Sequence, residues 1–306
     1  MNLSDYPAEY MASDQAAVKL ERNYFRLLKA ELLLFLTASV VGVIIAFPWI
    51  GYGRPLAVVA AILIAAAFLI LWVMRQRRLE QKWFQYRAVA ESVKTTTWRY
   101  MMQAPPFDCA ESDTELHQKF IATLRAIQTD RAGRRPLPNR PDSAGNEISE
   151  FMRRKQKLSL EERKTYYLCE RVADQQNWYE EKSLVNRRNA ARWSSFILTT
   201  QVLALALALL RIVYPGVPLS PVSFLMTGAS SMVAWTQARR HGDLIEPYAV
   251  AAQELKELEA LCGSVTDSKS FCRFVSDVEE TISREHTKWL ARRSIETEKP
   301  NSEVGQ

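Results

Sequence analysis

The sequence has no C-x-x-C pair. Its four cysteines, Cys109, Cys169, Cys262 and Cys272, stand far apart, and its three histidines, His117, His241 and His286, are equally scattered. Zinc ligation needs closely spaced nitrogen and sulfur ligands, so neither a metal site nor a disulfide framework is expected, and the cysteines read as reduced, buried thiols in a cytosolic setting. There is also no Gly-rich phosphate loop and no nucleophile set beside a base. No catalytic residue and no cofactor are therefore expected, and the chain does not read as an enzyme. The Glu-rich stretch 254–259 reads as a solvated helix face. No cleavable signal is expected at the start, because a long polar stretch precedes the first apolar run and no A-x-A site follows a short apolar core.

Charge is scarce in another sense, inside four apolar runs. LLLFLTASVVGVIIAFPWI (32–50) and PLAVVAAILIAAAFLILWVM (55–74) contain none, and only GYGR lies between them. A third run covers about 193–213, a fourth about 217–236, with YPG at the bend. Each is close to the length of a bilayer crossing, for which about 20 residues suffice. A helix at the surface of a soluble protein would show a polar face, and one apolar all round is either a buried core helix or a span; two such runs side by side with no polar face favour the span. The expected fold class is therefore all-α: an integral membrane protein with two transmembrane helical hairpins and long cytoplasmic helical extensions.

The basic residues fix the expected orientation. The formal net charge is +6 over 306 residues, and the cations gather beside the apolar runs, which suits a membrane surface rather than a nucleic-acid groove. Arg22, Arg26 and Lys29 precede the first run, and Arg75, Arg77, Arg78 and Lys82 follow the second. Arg187, Arg188 and Arg192 precede the third, and Arg239 and Arg240 follow the fourth, whereas the bends carry only Arg54 and, within a turn, Arg211. By the positive-inside rule both termini are cytoplasmic, in a multi-pass protein of the cell inner membrane. Trp49, Tyr52 and Tyr214 then fall at the outer boundary, and Trp72, Trp193 and Trp235 at the inner one. Almost nothing projects outside, which excludes an extracellular receptor.

The two halves resemble each other. Asp14-Gln15 recurs as Asp174-Gln175, offset by 160, and Arg77-Arg78, Tyr86, Ala90 and Lys94 recur as Arg239-Arg240, Tyr248, Ala252 and Lys256, offset by 162. The repeating unit reads as helix, crossing, bend, crossing, helix. The divisions are 1–127 for the first unit, 128–147 for a Pro/Gly-rich linker, 148–293 for the second unit and 294–306 for a polar tail. Trp83, Tyr86, Ala90, Val93, Thr97 and Tyr100 form one apolar stripe, and Ile245, Tyr248, Ala252, Leu255 and Cys262 another. Residues 268–291 predict a third amphipathic helix with Phe271, Phe274, Val275, Val278, Ile282 and Trp289 on one side. Ser159 and Glu162 form a capping box, from which a helix is expected to run without Pro or Gly into the third crossing. Arg131, Arg134, Arg135 and Arg140 of the linker are candidates for an anionic ligand or lipid headgroups, against the plainer reading of a solvated run.

The segments ASDQAAVKLERNYFRLLKAELLL (12–34), YRAVAESVKTTTWRYMMQAPPFD (86–108), ISEFMRRKQKLSLEERKTYYLCERVADQQNWYEEKS (148–183), YAVAAQELKEL (248–258) and ISREHTKWLARR (282–293) carry a resemblance to the SLATT-domain family, two-crossing bacterial membrane proteins, here as two fused units. The resemblance implies a role in prokaryotic conflict systems, as a membrane effector that opens a pore or perturbs the inner membrane when a nucleotide-derived signal or a sensor protein acts on it. It supplies no catalytic residues.

Hydroxyls collect in the fourth run. At 100° per residue Ser220, Ser223, Thr227, Ser230 and Ser231 share an arc of roughly 100°, opposite Leu225, Met226, Ala229, Met232 and Val233. Two readings stand. Small hydroxyl residues allow close helix packing with interhelical hydrogen bonds of about 0.6–2 kcal/mol each, or they line a water-filled pore built by several subunits. Gln201 in the third run is a second polar contributor to either. The partners expected are the bilayer, further copies of the chain and a cytoplasmic signal or sensor, with a non-conducting scaffold for soluble partners as the alternative role.

Overall fold

The computed structural model describes residues 1–47, 52–108, 112–131, 147–216 and 220–298, and among them all regular structure is helical. The chain folds as α1 (Ala8–Ile45), α2 (Gly53–Arg77), α3 (Leu79–Met101), α4 (Asp113–Arg131), α5 (Glu150–Gln156), α6 (Leu160–Tyr167), α7 (Asp174–Val213), α8 (Ser220–Arg239), α9 (Ile245–Leu261) and α10 (Ser268–Glu298). A π-helical segment, Leu168–Ala173, joins α6 to α7 without a break, so the expected continuous helix from 160 into the third apolar run is present. Its start is the expected capping box: the Glu162 backbone N–H donates to Ser159 Oγ, and the Ser159 N–H donates to Glu162 Oε2 at 2.9 Å.

Contacts divide the chain into two compact units. The first gathers Met1–Lys19, Gln81–Lys182 and Glu246–Gln306. Its core is conventional and aromatic: Trp98, Tyr100, Phe107, Phe120, Tyr167, Phe271 and Phe274 are buried with Val93, Leu255, Val275 and Val278. The stripes read from the sequence face inward here. Ala90, Val93, Thr97 and Tyr100 of α3 are wholly buried, Ala252 and Leu255 of α9 nearly so, and α10 buries Phe271, Phe274, Val275, Val278 and Ile282. The side chain of Trp289 lies outside the described residues.

The second unit gathers Leu20–Glu80 and Ser183–Ile245. It is built differently. Each of its four helices buries one alanine, Ala38, Ala67, Ala204 and Ala229, while Phe68, Ile62, Phe196, Leu198, Val202 and Leu205 are exposed. Small residues let backbones approach where no aqueous hydrophobic drive pulls helices together. Only 11%, 6% and 6% of the most apolar windows in Ala8–Ile45, Gly53–Met101 and Leu160–Val213 is covered by the rest of the chain. Leaving each such Leu, Ile or Phe in water forgoes about 1.5–3 kcal/mol, so this surface needs an apolar surrounding.

Among the described residues three helices are long and apolar enough to cross a membrane, those containing the first, second and third runs. α8, the fourth expected crossing and the one read as amphipathic, is not among them. The reason is its composition: Ser223, Thr227, Ser230, Ser231 and Gln237 dilute the apolar residues of a helix only 20 residues long.

The repeat has a backbone signature as well. α2 ends on Arg78 in the left-handed conformation (φ 47°), and α8 is followed by Arg240 in the same conformation (φ 53°). The two positions are 162 apart, the offset of the sequence matches. L-residues other than Gly adopt this region at a cost of roughly 1–2 kcal/mol, so the same break made twice by arginine is a structural echo of the duplication.

Candidate functional site

Two polar arrangements stand out, one in each unit. In the second unit α8 turns Ala229 inward, and Gly228 faces Leu36 of α1, where an added Cβ would meet Leu36 Cδ1 at 3.8 Å. The opposite, exposed side carries Ser223, Met226, Ser230 and Gln237. The arc of hydroxyls is therefore split: Ser223 and Ser230 are bare, whereas Thr227 and Ser231 sit half-buried on the flank. The Thr227 hydroxyl donates to the Ser223 carbonyl at 2.9 Å, and Thr200 does the same to Phe196 at 2.8 Å. Such i−4 bonds satisfy the hydroxyl within its own helix. Ser223, Ser230, Ser231 and the exposed Gln201 amide make no side-chain hydrogen bond to the described residues. The side chain of Ser220 lies outside the described residues.

In the first unit the buried centre is ionic. Arg171 Nε donates to Glu279 Oε1 at 2.8 Å and Nη2 donates to Oε2 at 2.7 Å, with both side chains all but inaccessible to water. The Tyr167 hydroxyl donates to Glu279 Oε1 at 3.0 Å, the Arg171 guanidinium lies 5.9 Å from the Trp98 ring, and the Trp98 indole donates to Tyr6 Oη at 3.2 Å. Burial works against the Arg171 charge, but the Glu279 carboxylate and its hydrogen bonds outweigh it and hold the pKa above the ordinary guanidinium value. Burial and the same carboxylate push the Tyr167 phenol well up, and burial raises Tyr6 to about 12. All three groups thus keep their neutral-pH states.

The π-segment explains how an arginine comes to lie there. Arg163, Tyr167 and Arg171 are buried four residues apart, and a second register with Val172 and Tyr179 buried begins one residue later. Arg171 and Val172 are both buried. The wider i→i+5 turn accommodates one extra residue, so two helical registers meet and both members of the junction face the core. Nothing in the sequence analysis singled out Arg171 or Glu279. No sequence signal marks them: both lie among charged residues, and the register step between 171 and 172 is a property of the fold.

No described group of His, Cys, Asp and Glu is arranged to hold a metal ion. Arg134, Arg135 and Arg140 lie outside the described residues, and so does the side chain of Arg131.

Comparison with known families decides the kinship. Residues 7–164 match the family SLATT_3, described as SMODS and SLOG-associating 2TM effector domain 3, and residues 167–289 match SLATT_1, SMODS and SLOG-associating 2TM effector domain 1. The chain belongs to the SLATT family. It carries two SLATT units in tandem, which is what the sequence offsets and the paired arginine turns express. SLATT domains are two-transmembrane effector domains of conflict systems, so the general kind of role follows with the family. No curated protein and no solved structure matches the chain.

Proposed function

We propose that this tandem SLATT chain is an inner-membrane effector whose four crossings, α8 included, assemble with those of further copies into a pore or a membrane-disrupting oligomer. The carrying observation is the bare side of α8. Ser223 and Ser230 are exposed and unbonded, on a helix whose neighbours leave their apolar surface uncovered. Lipid alone serves the apolar surface but not the hydroxyls; another copy packed on this side, or water enclosed between copies, serves the hydroxyls while lipid covers the rest. Positive-inside placement of the cations puts both termini in the cytoplasm. A soluble trigger, nucleotide-derived or a sensor protein, acts on the aromatic first unit by binding one packing of its helices better than another. The family's description as SMODS and SLOG-associating supports a soluble partner of that kind. No chemistry is assigned to the chain.

The test is ion flux from vesicles holding purified full-length protein, with the mass of the assembly measured in parallel. Triggered protein is expected to conduct as an oligomer, and Ser223→Leu with Ser230→Leu to remove flux without loss of inserted protein. Flux persisting in that double variant would refute the lined pore, and stable complexes with no flux under any trigger would favour the scaffold.

A further inference from the structure

The foot of the second unit is an array of cations with few acids to answer them. The segments 20–31, 75–80, 183–192 and 239–245 hold eleven Lys and Arg against four Asp and Glu. Some of these cations are already committed. The Arg239 guanidinium lies 3.7 Å from the Phe25 ring and 5.0 Å from the Trp235 ring and reaches Glu21 at 4.0 Å, and Arg75 acts on the buried Glu31. Others are not. Arg22, Arg26 and Lys29 on α1, and Arg188 and Arg192 on α7, are exposed and have no ion pair among the described residues.

Their spacing makes them stripes. Arg22, Arg26 and Lys29 follow at i, i+4 and i+7, and Arg188 and Arg192 at i, i+4, so each set lies on one side of its helix. The next residue on each stripe is apolar and bare: Leu33 after Lys29, Phe196 after Arg192, each four residues on and each at least half exposed. One helical turn, about 6 Å of rise, thus carries both surfaces from unpaired cation to uncovered hydrocarbon. A bilayer makes the same change at the same scale, from phosphate to acyl chain, and long basic side chains extend toward the headgroups there.

We propose that these two stripes bind the phosphate groups of anionic phospholipid in the cytoplasmic leaflet, and that the protein selects such lipid over zwitterionic lipid. The inference rests on the reading that the second unit crosses the membrane. An acidic protein segment would answer the charge but not the exposed Leu33 and Phe196 one turn away, so lipid is the occupant the surface fits.

The test uses full-length protein extracted in a nonionic detergent, stripped of lipid and then given phosphatidylglycerol, phosphatidylcholine or inorganic phosphate. Retained lipid is counted by native mass spectrometry, and the unfolding midpoint is followed by circular dichroism. Phosphatidylglycerol is expected to be retained at least tenfold more than phosphatidylcholine and to raise the midpoint, with inorganic phosphate doing neither. Arg22→Gln, Arg26→Gln and Lys29→Gln together should reduce retention several-fold at unchanged helicity. If that variant fails to fold, Arg188→Gln with Arg192→Gln tests the α7 stripe alone. Equal retention of the two lipids, unchanged retention in a folded variant, or a midpoint rise with inorganic phosphate matching that with lipid would overturn the proposal. An alkaline carbonate wash of cell membranes separates the two levels: a chain that washes off refutes the membrane reading itself, whereas one that stays but shows no lipid preference refutes only this inference.

Discussion

Glu279→Gln should be among the costliest near-isosteric changes in the molecule. The substitution removes one charge from a pair in which both side chains are buried, two hydrogen bonds run at 2.7 and 2.8 Å, and Tyr167 donates a third at 3.0 Å. The glutamine amide oxygen retains one acceptor, but its NH2 then opposes the Arg171 guanidinium, donor against donor. Arg171 is left as an uncompensated buried cation, and breaking a pair in this way costs about 3–5 kcal/mol. For a cooperative unit of this size that corresponds to a fall in unfolding midpoint of roughly 6–20 °C. Replacing both partners, Arg171→Met with Glu279→Leu, removes the unpaired charge along with the pair and should recover most of the loss. Thermal unfolding of the full chain in detergent, followed by the near-UV signal, to which Trp98 beside this centre contributes, measures all three. A single variant costing under about 1 kcal/mol, or a double variant no more stable than the worse single one, would refute the reasoning, because the pair would then be solvated or uncoupled.

Two further outcomes are expected. Arg78→Gly should be more stable than Arg78→Val by about 1–2 kcal/mol, with the same order at Arg240, because both sites hold positive φ and a β-branched side chain suits it least; equal stabilities by chemical denaturation would mean the turns are not left-handed. The pH dependence should fall on the acid side. Burial first, then nearby Arg153, holds the His117 pKa below the ordinary imidazole value, and burial with Arg239 does the same for His241, whose Nδ1 lies 2.8 Å from Asn186 Oδ1. The unfolded chain therefore takes up protons first as pH falls, so stability is full above an imidazole pKa of about 6.5 and declines below it. Midpoints at pH 7.5 and 5.5 should differ more in the wild type than in His117→Gln; an equal difference would remove His117 from the account.

Much of this architecture was legible because it rests on local signals. Apolar runs between charged flanks mark the helices around 32–45, 55–74 and 193–213, and Ala90, Val93, Thr97, Tyr100, Ala252 and Leu255 turn inward as their periodicity selects, although Val89, Trp98 and Ala251, off those stripes, are buried as well. The capping box at Ser159 is a four-residue pattern and needs no tertiary context. The hydroxyls of α8 were only partly legible. Periodicity places Ser223, Thr227, Ser230 and Ser231 on one arc, but which part of it is bare depends on where Gly228 and Ala229 pack, and that is a property of the neighbours. The Arg171–Glu279 pair was not legible, for a physical reason: its partners are 108 residues apart, and a π-turn brings Arg171 inward where two registers overlap. A regular 3.6-residue wheel cannot represent such a step.

The tandem arrangement has an arithmetic consequence. Two units made on one polypeptide are synthesised in fixed proportion, so no imbalance of expression alters their ratio. A closed ring of these chains must contain an even number of units, alternating between two kinds. α8 with its bare serines and α2 with its uncharged, hydrocarbon-rich flank would then recur in turn around the circle, giving any such assembly a rotational symmetry half as high as its count of units.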